Sequence, residues 1–262
     1  MILMHNNANS SKIIYPDYLP MLIIALITAM ISACVLSPIY TQISSDVVLM
    51  YTVLPIIVDY LIIIFDMVYI SILFAVISCS TYNHFKNEEN KHLGLMLACT
   101  VVCLKHILNL TVSSIIDSYI DVTFDIPLTL ILILLDAASL MIVKAISVKR
   151  CKKHFNHAKR MQKAAKYLEN VVYDENTDIF PFGSLLNTKN PIIFPIFVGV
   201  IITLAVLILQ RLYADFVMIG LPASFYEVVE IVISYLSDIL LGVIGYIAAY
   251  YAAVYVFIKK SN

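Results

Sequence analysis

The sequence predicts an all-α integral membrane protein with six transmembrane helices, and three observations support this fold class. The chain of 262 residues is 61% hydrophobic and only 13% charged, with a mean hydropathy of +0.91. Soluble domains are typically about 45–50% apolar and about 25% charged. The apolar residues form stretches of about 20, the length that crosses a bilayer as a helix. Basic residues are concentrated in the segments between alternate stretches. Because the apolar stretches take up most of the chain, residues 1–262 are expected to form a single membrane domain.

Six apolar stretches define the predicted spans. They cover about residues 19–38, 56–78, 93–113, 126–148, 191–212 and 236–258. The first stretch has the position of a secretory signal, but its apolar core is too long and residues 34–38, Cys-Val-Leu-Ser-Pro, make a poor cleavage site. We therefore expect it to remain as an uncleaved helix.

The distribution of basic residues predicts the orientation of the chain. With both termini on the cytoplasmic side, 14 of the 17 Lys and Arg residues lie in cytoplasmic segments. This agrees with the rule that basic loops stay inside. The predicted outer segments are acidic, at Asp46, Asp117, Asp121, Asp125, Asp215, Glu227 and Glu230. A concentration of acidic residues on the outer side attracts cations, although acidic residues can also simply keep loops soluble.

Two stretches beside the spans are expected to be short amphipathic helices in the headgroup plane, at Val47 to Pro55 and Ser224 to Tyr235. For the second stretch, a long and tilted final span is the alternative. The 149–190 loop is the one sizeable cytoplasmic segment. Beyond an acidic run at 174–178, its turn-forming residues at 180–183 predict a hairpin that returns the chain to the membrane.

The first half of this loop, Lys149 to Leu168, has the pattern of a basic amphipathic helix. Its apolar residues recur at helical spacing, while Lys and Arg occupy other faces. Such a helix is expected to lie on the anionic inner leaflet. It can serve as a topology anchor that prolongs span four, or it can bind a cytoplasmic partner. The candidate docking residues are Lys149, Arg150, Lys152, Lys153, Lys159, Arg160, Lys163 and Lys166.

Three ionisable side chains lie near the middle of separate predicted spans. Asp66 is in the second span, Lys105 in the third and Asp136 in the fourth, at similar depths by the rise of a helix. A charge at mid-membrane costs roughly 2.5 to 3.5 kcal/mol on insertion scales. The three side chains are therefore expected to converge into a cluster of two carboxylates and one ammonium.

The charges of this expected cluster do not balance. The residual negative charge is neutralised at least cost by one bound proton or cation, the chemistry of a coupled carrier. His106, beside Lys105 but about 100° around the helix, can relay a proton near neutral pH. A purely structural ion pair is the alternative for the Asp/Lys group. For His106 the alternative is an ordinary hydrogen bond to a neighbouring helix.

Two further aspartates lie nearer the predicted outer surface and are expected to form the approach to the cluster. Asp59 precedes Asp66 by seven residues, which places it on the same face about 10 Å away. Asp238 begins a stripe of small residues in the last span, where close helix packing is the simpler explanation. The stripe continues through Gly242, Gly245, Ala249 and Ala252.

Enzyme signatures are weak in this sequence. It has no His-Glu-x-x-His, Gly-x-Ser-x-Gly or phosphate-binding Gly-x-x-x-x-Gly-Lys motif, and its five cysteines form no Cys-x-x-Cys. An aspartyl protease dyad of Asp66 and Asp136 is disfavoured, because neither follows Gly-x-Gly and Lys105 would keep both ionised. We expect no catalytic site, metal or cofactor. The near-neutral net charge of -1 argues against a nucleic-acid partner.

The sequence therefore predicts a multi-pass protein of the plasma (cytoplasmic) membrane that transports a small solute or ion through the Asp66, Lys105 and Asp136 site. The alternative is a non-catalytic scaffold or a permease subunit of a larger complex driven by an external ATPase. Its six spans with both ends inside are also the arrangement of many such subunits. Besides the lipid bilayer, the expected partners are a cytoplasmic or membrane protein and the small solute or cation.

Overall fold

The computed structural model describes residues 18–46, 48–87, 90, 92–116, 122–167, 190–213 and 225–258, and helices are the only regular secondary structure in these ranges. The α-helices are α1 (Leu19–Ile31), α2 (Ser37–Ser45), α3 (Leu54–Asn87), α4 (Leu93–Ile116), α5 (Val122–Tyr167), α6 (Ile193–Tyr213) and α7 (Phe225–Ile258). A π-helical segment, Ser32–Leu36, joins α1 to α2, and a single 3-10 turn, Leu49–Tyr51, precedes α3.

The helices correspond to the six predicted spans, with boundaries that differ by several residues. Five helical segments of the described chain are long and apolar enough to cross a membrane. They are Leu19–Ser45, Leu54–Lys86, Leu93–Ile115, Thr129–Arg160 and Ile231–Val254. The apolar part of α6, Ile193–Leu209, is shorter. The all-helical membrane fold is thus confirmed.

The π-helical segment has a local cause in the sequence. The Ser37 amide donates to the Ser32 carbonyl, five residues back. Pro38 follows directly and has no N–H to donate to the Cys34 carbonyl, so the regular α-helical ladder is weakened at this point. The wider π-turn forms there, and segments of this kind are often found at functional sites.

Contacts between side chains establish the directions of the helices. α3 and α5 run parallel, because Tyr69 contacts Asp136 and, further along both helices, Ser78 contacts Ser147. α3 and α7 also run parallel, because Tyr60 contacts Ser237 and, further along both helices, Met67 lies beside Gly245. α4 runs the opposite way, since it meets α3 through Lys105 and Asp66 and through Gly94 and Ser80. This alternation is the up-and-down order expected of successive spans.

Helix α3 is the central element of the bundle. It contacts each of the other long helices α1, α4, α5, α6 and α7. In its most apolar window 61% of the residues are buried, against 28% in the windows of the other four candidate spans. Small residues permit this packing. An added Cβ on Gly245 of α7 would lie 2.9 Å from the Met67 carbonyl oxygen, so the α3 and α7 backbones are in close contact there.

The two halves of the bundle are packed very differently. In the half where α3 ends, nearly every residue of α3 from Met67 to Asn83 is buried. This packed half also contains the buried residues of 18–33, 94–106, 139–158, 190–200 and 245–253. In the opposite, open half, which contains residues 34–45, 54–66, 107–116, 122–138, 201–213 and 225–244, few described residues are buried. Those few are Ile43, Val58, Asp238, Leu241 and Gly242.

Three expectations about the segments beside the spans require correction. Val47 to Pro55 does not form an amphipathic helix, since its described residues make one 3-10 turn before α3 begins at Leu54. Asp46 stabilises that turn by accepting hydrogen bonds from the amides of Val48 and Leu49. Ser224 to Tyr235 does not form a separate helix either, because α7 runs unbroken from Phe225 to Ile258. The long final span is therefore the arrangement that forms.

The third correction concerns the placing of the basic segment on the inner leaflet. The segment is a direct continuation of α5, which is the alternative of a helix that prolongs span four. Its apolar face lies against the end of α3, where Phe155 stacks on Phe85 with ring centroids 6.0 Å apart and also contacts Tyr82 at 5.3 Å. Protein therefore covers the described part of that face, from Cys151 to Ala158. Leu168 and the predicted hairpin at 180–183 lie outside the described residues.

Candidate functional site

The central polar group lies midway along the bundle. Asp66 is 12 residues after the first residue of α3, Lys105 is 12 after that of α4, and Asp136 is 14 after that of α5. At 1.5 Å per residue, each lies about 20 Å from the start of its helix. The group sits at the boundary between the packed half and the open half.

Asp66 and Lys105 form the first of two charged pairs. The Lys105 Nζ donates to the Asp66 Oδ2 at 2.9 Å. The second carboxylate oxygen, Oδ1, accepts a hydrogen bond of 2.6 Å from the Ser32 hydroxyl. Ser32 is the first residue of the π-helical segment, so the irregular part of the first span supplies this donor. Both oxygens of Asp66 are thus occupied.

Asp136 and His106 form the second pair. The His106 Nε2 lies 2.9 Å from the Asp136 Oδ2, and the Tyr69 hydroxyl donates to the same oxygen at 3.0 Å. The other oxygen, Asp136 Oδ1, accepts no hydrogen bond from any residue in the described ranges. The two carboxylates therefore differ, because Asp136 keeps one unoccupied acceptor.

Tyr69 joins the two pairs into one network. Its hydroxyl reaches Asp136, while its ring lies beneath the Lys105 ammonium, with Nζ 5.2 Å from the ring centroid. Contact with an aromatic face stabilises a cation in a desolvated position. Lys105 and His106 are consecutive on α4 but turn to different helices, as the 100° step between neighbouring residues requires.

The buried and accessible groups of the site have opposite charges. The Lys105 and His106 side chains are only 10% and 8% exposed, whereas those of Asp66 and Asp136 are 33% and 28% exposed. The Lys105 and His106 side chains are therefore enclosed by protein, whereas the two carboxylates are partly accessible from outside the bundle.

The sequence anticipated part of this arrangement. Asp66, Lys105 and Asp136 lie at one depth in one network, but Lys105 does not bridge the two aspartates. His106 pairs with Asp136 on the neighbouring helix, which matches the ordinary hydrogen bond considered for it. Sequence reasoning missed Ser32 and Tyr69. The one available signal was that Tyr69 lies three residues after Asp66, on the same face of α3.

Asp59 and Asp238 lie in the open half, away from the central pairs. Asp59 is half-buried and about 10 Å along α3 from Asp66. Asp238 is fully buried. It follows Ser237, whose hydroxyl lies 3.2 Å from that of Tyr60, so Asp238 lies near the level of Tyr60 and Leu61 on α3. The buried stripe of Gly242, Gly245 and Ala249 continues towards the packed half.

An apolar layer separates the central group from a second polar cluster in the packed half. Its members are fully buried and are Leu73, Phe74, Ile77, Leu140 and Val143. Beyond it, the buried Lys144 donates to the Thr81 hydroxyl at 2.9 Å, and the hydroxyls of Ser78 and Ser147 lie 3.2 Å apart.

The candidate docking residues lie along the extension of α5. Lys149, Lys152, Lys153, Lys159 and Arg160 are exposed. Arg150 is half-buried, with its guanidinium carbon 3.9 Å from the centroid of the Phe194 ring, which ties α5 to the first turn of α6. Lys163 and Lys166 belong to the same helix, but their side chains lie outside the described set.

No group of three or more His, Cys, Asp or Glu side chains that could hold a metal ion occurs among the described residues. The charges at the site are instead neutralised mainly by one another. No protein-family model matches the chain, and comparisons with curated proteins and with solved structures likewise give no match.

Proposed function

We propose that this chain is a membrane transport protein that carries a small solute or ion and uses the central group of Asp66, Lys105, His106 and Asp136 as its binding site. One observation carries the proposal: two carboxylates and only one permanent cation lie together at mid-bundle. A structural ion pair needs one charge of each sign. The additional carboxylate with a titratable partner is better explained by reversible binding of a proton or cation.

The packing asymmetry supports access to this site from the open half. The carboxylates are partly exposed, and the apolar layer covers the side that faces the packed half. A carrier needs a site that opens to one side of the membrane at a time. Asp59 and Asp238 lie along the open half and give it a negative potential that favours the entry of cations.

The sidedness of the bundle in the membrane follows from its charges. The packed half ends at Lys86 and at the basic extension of α5, so the positive-inside rule assigns it to the cytoplasmic face. Both chain termini are then cytoplasmic, and the open half faces outward. For a multi-pass protein of this kind we propose the plasma membrane.

Reconstituted liposomes test the proposal. Purified protein is expected to support flux of charge driven by a pH or sodium gradient, and Asp136→Asn is expected to abolish it. Asp66→Asn should also reduce the flux, since it releases Lys105 to pair with Asp136. A folded protein that gives no flux under either gradient, with no ATPase co-purifying, would count against transport.

A scaffold or permease subunit is the second candidate, and the extension of α5 favours it specifically. This helix has 46 residues, or about 69 Å, more than twice the hydrocarbon thickness of about 30 Å. Its exposed Lys and Arg side chains suit an acidic cytoplasmic partner. Exchange of the central pair, Asp66→Lys with Lys105→Asp, separates the candidates. A scaffold should keep its activity in that variant, whereas a carrier should fold but lose transport.

A further inference from the structure

We infer that Asp136 is the exchangeable carboxylate of the central site and that it binds one monovalent cation, with His106 giving up a proton as the cation arrives. This inference rests on the proposed function and names the class of ion that the site takes. It follows from a difference in how the two partners of each aspartate are distributed: Asp66 has one on each carboxylate oxygen, whereas both partners of Asp136 are on Oδ2.

Each oxygen of Asp66 already accepts one hydrogen bond. One oxygen is held by the permanent Lys105 charge at 2.9 Å and the other by the Ser32 hydroxyl at 2.6 Å. Displacing Lys105 would leave a buried ammonium without its counter-ion at mid-membrane, which is costly. Asp66 and Lys105 therefore act as a fixed neutral pair that holds α3 to α4.

Asp136 is held only by groups that can release it. Both of its hydrogen bonds, from Tyr69 and His106, go to Oδ2. Its Oδ1 accepts no hydrogen bond within the described residues, and the side chain is 28% exposed. A cation arriving from the open half can contact this oxygen without breaking an existing bond.

Charge balance limits the site to one positive charge. With a neutral imidazole, Asp66, Asp136 and Lys105 sum to -1, and a proton on His106 brings the group to zero. A monovalent cation at Asp136 Oδ1 also brings it to zero. Both together would give +1 in a desolvated position, so the bound cation and the His106 proton exclude each other. The other charged or titratable groups facing this pair are Lys105 and Asp66, which cancel, and the Tyr69 hydroxyl.

The two sources of such a cation are inorganic ions and small organic ammonium compounds. Calorimetric titration of the detergent-purified protein with NaCl, KCl and methylammonium chloride, with choline chloride as the balancing salt, distinguishes them. Repeating each titration in two buffers with different protonation enthalpies counts the protons released. We expect one of the three probes to bind and to release no more than one proton per cation bound.

Matched variants give the decisive comparison. Asp136→Asn removes the proposed ligand and should weaken binding by at least about tenfold. The double variant Asp66→Asn with Lys105→Met removes the fixed pair but leaves the net charge at -1, and it should weaken binding less than Asp136→Asn does. His106→Gln should bind the cation without releasing a proton. Gel filtration and thermal unfolding establish that each variant is folded.

Three results would overturn the inference: wild-type protein that binds none of the probes, folded Asp136→Asn that binds normally, or a folded double variant that binds more weakly than Asp136→Asn. Failure here is distinguishable from failure of the transport proposal. If the protein binds a cation at Asp136 but gives no flux in liposomes, the transport proposal is contradicted and the cation site is not. Flux that persists in Asp136→Asn shows transport through a different site.

Discussion

The packed and open halves of this bundle are built from the same six helical segments, yet they differ in almost every physical respect. On α3 alone, all residues of 67–83 except Val68 are buried, while Val58 is the one buried residue in 54–66. The ends also differ in charge, since Asp46 and Asp59 lie in the open half and Lys149, Lys152 and Lys153 lie at the packed end. The central pairs lie where the two halves meet.

An up-and-down helical bundle can therefore be closely packed along one half of its length and loosely packed along the other. In lipid, association of helices depends on close van der Waals contact and polar links rather than on exclusion of water. The packed half has both, in its small residues and its serine and lysine hydrogen bonds. The open half has fewer such contacts among the described residues, for example Tyr60 with Ser237 and Gly242 with Leu204, and its helices are packed less closely.

The largest expected difference between the halves is in accessibility. In a background with all five native cysteines replaced, Ile62→Cys and Ile70→Cys place thiols one turn before and one turn after Asp66 on α3. Ile62 is half-buried in the open half and Ile70 is buried in the packed half. A membrane-impermeant thiol reagent, assayed by mass shift, should modify Ile62→Cys readily and leave Ile70→Cys intact. Equal modification would remove the distinction between the halves.

The next largest effect concerns stability. Phe74→Ala in the packed half should lower the free energy of unfolding by about 3 kcal/mol, because it empties a fully enclosed space beside Gly199. Phe65→Ala, in the open half of the same helix, is the control and should cost markedly less. Thermal unfolding of both variants in one detergent provides the measurement. Similar losses would mean that both halves are equally well packed.

A smaller effect is expected at the contact between α3 and α7. Gly245→Ala places a methyl group 2.9 Å from the Met67 carbonyl oxygen, and backbone cannot move aside easily, so about 1–3 kcal/mol should be lost. Gly242→Ala meets only the Leu204 side chain, which can change rotamer, and should cost less. The two midpoints of thermal unfolding test this order, and the reverse order would contradict the assigned helix contact.

The smallest effect is predicted for the basic extension of α5. Lys152→Gln with Lys153→Gln changes two exposed side chains and should alter stability by no more than about 0.5 kcal/mol each. A clear fall in the unfolding midpoint would show that these charges take part in the packing of the bundle. An unchanged midpoint leaves them available for a partner or for topology.

The fold was largely predictable, and its departures have simple physical causes. Apolar length alone locates the six helical segments, because a span must satisfy its backbone within itself. The same pattern does not say where a helix ends once it leaves the membrane. α5 therefore continues through Arg160 where its apolar face finds Phe85 and Tyr82, and α7 begins well before its apolar core. The π-turn at Ser32 depends on Pro38 in a way that composition does not reveal.

The site was predictable in depth but not in pairing. Residue numbers place Asp66, Lys105 and Asp136 at one level, since helical rise is constant. Which of the two aspartates pairs with Lys105 depends on how each helix is rotated about its own axis and on which helices lie beside it. Packing determines both. For the same reason the contributions of Ser32 and Tyr69, a hydroxyl and a ring on apolar spans, could not be separated from ordinary core residues beforehand.

The Asp66 and Lys105 pair has a consequence for how the chain enters the bilayer during synthesis. Either helix inserted alone carries an ion that costs roughly 2.5 to 3.5 kcal/mol at the midplane. α3 and α4 are consecutive and antiparallel, so they can leave the translocation machinery as a neutral hairpin. Truncated nascent chains that end within α4, before Lys105, should therefore insert α3 less completely than longer ones, as glycosylation mapping of its flanks can show.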